Sequence, residues 1–226
     1  MIKKRINPLY LNKNVVLNLK KSLYNKKYVK IIQLKNFFRK EKIDLVFNDI
    51  CNSRKLLFYT ETYNGVNVPF FEYKWSYINR FLEFIYSPSF MKYLWFFYNV
   101  KISFTNTDLE IDYVKFYEKL WNNKKFILQE YNNNTFLWWH NDVWSEKKSS
   151  IWRFWLYIWK DYKKEEWWFL ELWYKNGETF IVYDKIIPYY NSIFLLIVEE
   201  NAYHKVWKIN SDKFNRKLFT KEIFKV

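Results

Sequence analysis

His140 and Asp142 stand two residues apart in the run Trp139-His140-Asn141-Asp142. Residues at that spacing on a β-strand project to the same face, so an imidazole nitrogen and a carboxylate oxygen would share one side of the chain. Such a pair is two thirds of the 2-His-1-carboxylate arrangement that holds non-haem Fe(II) and leaves three coordination positions open on one face. The remaining ligand would be a histidine, and the chain has only one other, His204. His140, Asp142 and His204 are therefore the candidate metal ligands and catalytic residues. An H-x-D triplet alone is unspecific, because the same spacing arises by chance in surface loops.

The elements that must position these residues change character along the chain. Residues 1–72 carry the weakest signals. Residues 26–42 mix Lys and Arg with Ile31, Ile32, Leu34, Phe37 and Phe38, which predicts a short amphipathic helix. Residues 44–58 have room for another element, and Tyr63-Asn64-Gly65 is a turn signal. From Tyr73 onward, Tyr77, Ile78, Phe81, Leu82 and Ile85 follow a helical period. Ser87-Pro88 reads as N-cap and first residue of a second helix, with Phe90, Met91, Leu94 and Tyr98 on its inner face. After about residue 101 the pattern turns to short strands, expected at 101–104, 125–131, 135–140, 153–159, 169–174, 179–183, 192–198, 203–209 and 216–224. Turn formers separate them, as in Asn132-Asn133-Asn134, Lys175-Asn176-Gly177 and Asn210-Ser211-Asp212. Many short strands at regular spacing indicate a sandwich or jelly roll. The expected organisation is mainly β, with an N-terminal helical support region over 1–100 and a β-rich core over 101–226.

With the strands in place, the stretch over roughly 125–224 resembles the prolyl-hydroxylase branch of the 2-oxoglutarate- and Fe(II)-dependent oxygenases. In that family H-x-D is followed by a strand ending Tyr-Leu-Asn-x-Asp-Trp, then by Gly-Gly-x-Leu, a distal histidine and a basic residue near the end. Tyr157-Ile158-Trp159-Lys160-Asp161-Tyr162 takes the first place here and Trp167-Trp168-Phe169-Leu170 the second. Ile187-Pro188-Tyr189-Tyr190-Asn191 is similar to the family's Pro-x-(Phe/Tyr)-(Asn/Asp) stretch. His204-Lys205-Val206 matches its His-x-Val, and Asn215-Arg216-Lys217-Leu218-Phe219-Thr220 its Arg-bearing last strand.

The resemblance implies a double-stranded β-helix, a jelly-roll, cupin-like barrel with the metal inside one end. It implies Fe(II) on His140, Asp142 and His204, 2-oxoglutarate in two of the open positions and O2 in the third, with ascorbate as the usual supporting reductant. Arg216 would grip the distal carboxylate of 2-oxoglutarate, to which a guanidinium offers a bidentate fork. Tyr157 matches a tyrosine that meets the same carboxylate, and Tyr131 a second tyrosine facing the co-substrate. Lys205, Asn141 and Asn191 are further neighbours within reach of such a site. The implied reaction is hydroxylation of a C–H bond in a prolyl or other amino-acid residue, with 2-oxoglutarate decarboxylated to succinate. Related halogenases lack the carboxylate ligand, so Asp142 favours hydroxylation. Two other classes stay open: a jelly-roll module that binds metal and 2-oxoglutarate as a sensor, and a basic, aromatic-rich nucleic-acid binder.

Composition bounds these readings. Half of the 226 residues are apolar and 24% aromatic, enough for a sizeable core. No run approaches the ~18 apolar residues of a membrane span. The single cysteine, Cys51, excludes an intramolecular disulfide and suits a reducing cytoplasm. The formal charge of +15 points to an anionic partner, but Lys, Asn, Ile, Tyr and Phe are also what an A+T-rich gene produces. The glycine count is anomalous. Gly appears twice and Trp thirteen times, whereas average usage predicts about 16 glycines in a chain of this length. A+T bias lowers both residues, since the standard Trp codon is UGG. The two counts together come close to the glycine expectation, and Trp167-Trp168 falls where the family has Gly-Gly. The expectation is that UGA codons meaning glycine have been written as tryptophan at 167 and 168, with Trp144 and Trp152 as further candidates; Trp139, Trp155 and Trp159 stay open.

Overall fold

The strands of this chain have apolar residues to bury on both faces, and the architecture supplies a partner for each. The computed structural model describes residues 2–63, 66–73, 76–99, 102–103, 126–131, 137–141, 152–160, 169–207 and 216–225. Its helices are α1 (Lys13–Tyr24), α2 (Lys40–Asn52), α3 (Ser76–Ile85) and α4 (Pro88–Tyr98). Three strands, β1 (Ile31–Leu34), β2 (Lys55–Tyr63) and β3 (Val66–Tyr73), lie among them. The later strands are β4 (Ile102–Ser103), β5 (Phe126–Tyr131), β6 (Leu137–His140), β7 (Trp152–Tyr157), β8 (Leu170–Asn176), β9 (Thr179–Ile186), β10 (Ser192–Ile197), β11 (Ala202–Val206) and β12 (Arg216–Lys225).

The large sheet runs β1-β10-β7-β12-β5-β3-β2, with β4 also pairing β12, and the small sheet runs β6-β11-β8-β9. The pairings within both are antiparallel. From β5 to β12 the chain visits large, small, large, small, small, large, small and large sheet in turn. That palindromic dealing of strands to two sheets fits a jelly-roll-like fold.

Period-2 alternation then sorts the side chains. Phe154, Leu156, Ile193, Leu195 and Phe219 join a cluster with the helices, including Phe38, Ile43, Phe81, Phe90 and Leu94. Their alternates Trp155, Tyr157, Phe194, Leu196 and Leu218 join Leu170, Leu172, Ala202 and Val206 of the small sheet. The large sheet is thus covered by helices on one face and by the small sheet on the other. This is why β10 reads as an unbroken apolar run rather than an alternating one.

The nine strands expected after residue 101 are all present, and the ends that fall on described residues lie within three residues of expectation. The helix expected from Tyr73 is α3. Its successor α4 starts as expected, with Ser87 Oγ accepting from the Phe90 amide at 3.2 Å and Pro88 at the first position. It stops at Asn99, whose φ of +62° closes the last turn. The helix expected over 26–42 does not form: residues 26–39 are not helical, and Lys40–Lys42 are the first residues of α2. Ile31–Leu34 is an edge strand paired in register with β10, Ile31 opposite Leu196 and Leu34 opposite Ile193. Ile31 faces the inter-sheet cluster while Ile32 and Leu34 face the helices, so the apolar spacing there has period 2. Residues 1–100 also contribute the β2–β3 hairpin, paired down to Tyr63 opposite Val66 and joined through β3 to β5.

Asn191 ties these parts together at φ +56°. Its side chain accepts from the Phe38 amide at 3.0 Å and donates to the Phe38 carbonyl at 2.8 Å. Its own carbonyl accepts from the Phe37 amide, and its amide donates to the Tyr157 carbonyl at 3.0 Å. Among the described residues no helix is long and apolar enough to cross a membrane.

Candidate active site

β11 alternates Ala202, His204 and Val206 toward the inter-sheet cluster and Tyr203 and Lys205 to the other side. His204 is therefore a histidine set in an apolar wall, 5% exposed. Directly across the strand pair, its Cα partner is His140, the last residue of β6. The two imidazoles have ring centroids 4.2 Å apart and planes at 58°. An imidazole nitrogen binds a first-row metal ion at roughly 2.0–2.1 Å, so two rings on neighbouring octahedral positions have centres about 4.5 Å apart. The observed separation fits a shared ion. Asn141 donates from Nδ2 to the Glu200 carbonyl at 3.0 Å, which fastens the residue after His140 to the turn that leads into β11.

Asp142, the expected carboxylate, lies outside the described residues, as do Trp144, Trp167 and Trp168. Among the described residues no group of three His, Cys, Asp or Glu side chains is gathered. Tyr157 is on the same inter-sheet side, 2% exposed, with its ring 5.2 Å from Phe194. Arg216 and Tyr131 are brought together by register, as Cα partners across β12 and β5; both are described by their backbone. β12 also sets Leu218 opposite Tyr157 and Thr220 opposite Trp155.

Two expected neighbours face elsewhere. Asn191 is spent on Phe37, Phe38 and the Tyr157 carbonyl and serves as a structural clamp. Lys205 alternates to the outer face of the small sheet, where its ammonium lies 3.7 Å from the Trp207 ring centre. Burial pulls Lys205 below the ordinary lysine value, with Glu171 on the adjacent strand opposing the shift. Glu171 itself is 2% exposed and takes Lys185 at 3.0 Å and the Trp173 indole at 3.0 Å.

Trp155 was not foreseen as part of this site. It shares the face of Tyr157, is 6% exposed, and its indole centroid is 5.0 Å from that of His204. The signal was present in the strand, since Trp155 and Tyr157 are two residues apart.

Two facing antiparallel sheets, helices on the back of the larger one and a histidine pair between them define the class: the chain has the fold of the 2-oxoglutarate–Fe(II) oxygenases, prolyl hydroxylases included. An oxidoreductase of the 2OG-Fe(II) oxygenase family from Burkholderia pseudomallei matches 94% of this chain and 92% of its own, with a TM-score of 0.59 and 8% identity. A prolyl-4-hydroxylase from Pseudomonas putida matches 93% of this chain and 99% of its own, with a TM-score of 0.56 and 7% identity. A prolyl hydroxylase from Trichoplax adhaerens, solved with a peptide fragment of the hypoxia inducible factor oxygen degradation domain, gives 96%, 92%, 0.54 and 11%. At such identities the likeness is one of fold. No protein-family profile and no curated protein matches the sequence.

Proposed function

We propose that this protein is a 2-oxoglutarate- and Fe(II)-dependent dioxygenase that hydroxylates a C–H bond of a prolyl or other amino-acid residue. The observation that carries the reading is the cross-strand pair His140–His204, 4.2 Å between ring centres, in the inter-sheet wall of a fold shared with such oxygenases. The two imidazoles, with the Asp142 carboxylate two residues beyond His140, would hold the ion as a facial triad. Fe(II) bound there would supply the oxidation of C–H to C–OH by O2, coupled to conversion of 2-oxoglutarate to succinate and CO2.

The remaining work falls to this chain's own side chains. Leu170, Leu172, Ala202 and Val206 belong to the inter-sheet cluster and would exclude water from a site there, which would strengthen charge interactions inside it. Arg216 follows the alternation of Leu218 and so belongs to the inter-sheet side of β12, where its guanidinium would take the distal carboxylate of 2-oxoglutarate. Tyr157, opposite Leu218, would donate its hydroxyl to the same carboxylate.

Substrate candidates are proline-containing peptides first, because a neighbour of the same fold holds a peptide, and free amino acids second. The test incubates the protein with Fe(II), ascorbate, 2-oxoglutarate and such a panel, and reads succinate together with a mass gain of one oxygen on the substrate. Formation of both supports the reading. Binding of metal and 2-oxoglutarate without succinate from any substrate would replace it with a sensor module.

A further inference from the structure

The register of the large sheet arranges the site in levels. Trp155 and Thr220 are Cα partners at the level of His204, whose imidazole lies 5.0 Å from the Trp155 indole. Tyr157 and Leu218 form the next level, and Arg216 with Tyr131 the one after. At roughly 3.3 Å per residue, Thr220 and Arg216 are about 13 Å apart along β12. On the dioxygenase reading, a ligand held at the histidines by one end and extending toward the level of Arg216 would run past Trp155 and then Tyr157. Trp155 is buried, wedged between Phe194 and His204 with centroid distances of 6.4 and 5.0 Å, and offers that ligand a flat apolar wall.

We propose that Trp155 is a specificity-determining residue: its indole packs along the carbon chain of the 2-oxo acid and restricts the site to chains unbranched next to the keto group. The inference rests on the dioxygenase reading above and adds to it which acids the pocket admits. Tryptophan fills that wall as no aliphatic side chain would, so one added methyl on the ligand meets the ring. A methyl group against a close-fitting apolar wall is worth roughly 10–200-fold in discrimination.

The experiment is calorimetric titration of the Mn(II)-loaded protein, a stand-in for Fe(II) that avoids turnover, with 2-oxoglutarate and with 3-methyl-2-oxoglutarate. The unmodified chain is expected to bind the branched acid at least about tenfold more weakly. Trp155→Phe, Trp155→Leu and Trp155→Ala should shrink that ratio stepwise with side-chain volume, to within about twofold for alanine. Phenylalanine and leucine keep most of the buried apolar volume, so the trend stays readable if the alanine variant does not fold. An unchanged ratio in the folded variants overturns the role of Trp155 and leaves the dioxygenase reading standing. Failure of the unmodified, Mn(II)-loaded chain to bind either acid overturns both.

Discussion

His204 owes its setting to Ala202 and Val206, which alternate with it into the apolar space between the sheets. Under the proposed function, an ion shared with His140 would give this buried imidazole a ligand's role. Alanine at His140, Asp142 or His204 is expected to weaken Fe(II) binding beyond the roughly 10–100-fold that loss of a supporting outer residue costs. Metal titration checks this, and wild-type affinity in all three variants would sink the ligand assignment. Arg216→Leu should act more selectively, leaving metal binding intact. A buried hydrogen bond to a charged group is worth about 1.5–3 kcal/mol, so 2-oxoglutarate binding should fall roughly tenfold to a hundredfold. Lys217 and Lys213 are the neighbouring cations in the sequence. Lys213 lies outside the described residues, and Lys217 sits 5.6 Å from the Trp159 ring on the alternation of Phe219, which faces the helices. Arg216 instead follows the alternation of Leu218, which belongs to the inter-sheet cluster.

Elements meet at the end of β7, and two polar devices hold them. Asn191 occupies a left-handed conformation, which costs any β-carbon-bearing residue about 1–2 kcal/mol and is best tolerated by Gly, Asn and Asp. Asn191→Ala keeps that strain and loses both bonds to Phe38, so unfolding free energy should drop by about 2–4 kcal/mol. Asn191→Gly loses the bonds but relieves the strain and should cost less; denaturant titration ranks the two. Asp44 is the second device. From α2 it accepts from Tyr190 at 2.7 Å, just before β10, and pairs with Lys160 at 2.9 Å, just after β7. Lys40 adds a third bond at 2.7 Å. Burial pushes the carboxyl up, but the hydrogen bonds from Lys40, Lys160 and Tyr190 outweigh it and hold Asp44 well below the usual carboxylate range. A depressed folded-state pKa gives stability that is complete above the unfolded value, about 3.9, and is lost as pH falls through the folded one. Asp44→Asn should therefore cost about 1–2 kcal/mol at pH 7, and the gap to the unmodified chain should close in acid below the ordinary carboxylate range. A gap constant from pH 7 to pH 2 would show that the charge of Asp44 contributes nothing.

At the scale of the whole molecule, the excess of tryptophan over glycine bears on how the gene is read. Glycine suits a loop entering a strand because it accepts positive φ and lets another backbone come close. Trp167 and Trp168 lie outside the described residues, three and two positions before Leu170, the first residue of β8, in the sequence. Among the described tryptophans, Trp159 has a buried indole N–H with no acceptor among the described residues. Such a group costs about 1–3 kcal/mol, a cost that glycine would not carry. The gene is expected to have UGA at positions 167 and 168, and peptides from the native source should have masses that fit glycine there. UGG at both positions would refute this.

Local periodicity determined a good part of this protein. The spacing of Tyr77, Ile78, Phe81, Leu82 and Ile85 specifies α3, Ser87-Pro88 starts α4, and the strands from 101 on were legible because period 2 and turn residues are written within a few residues of each other. The H-x-D triplet and the lone second histidine were legible for the same reason. Tertiary structure decided what no local window contains. Ile31, Ile32 and Leu34 read as a helix face until β10 supplied the hydrogen-bonding edge that makes them a strand. Alternation says that His204 and Lys205 face opposite ways, but only the small sheet's packing on the large one sends His204 inward and Lys205 to Trp207. The meeting of His204 with His140, of Trp155 with His204 and of Arg216 with Tyr131 depends on register between strands distant in sequence. Register is set by which long-range pairings bury the most apolar surface and satisfy the most backbone groups at once, so it exists only in the assembled sheets.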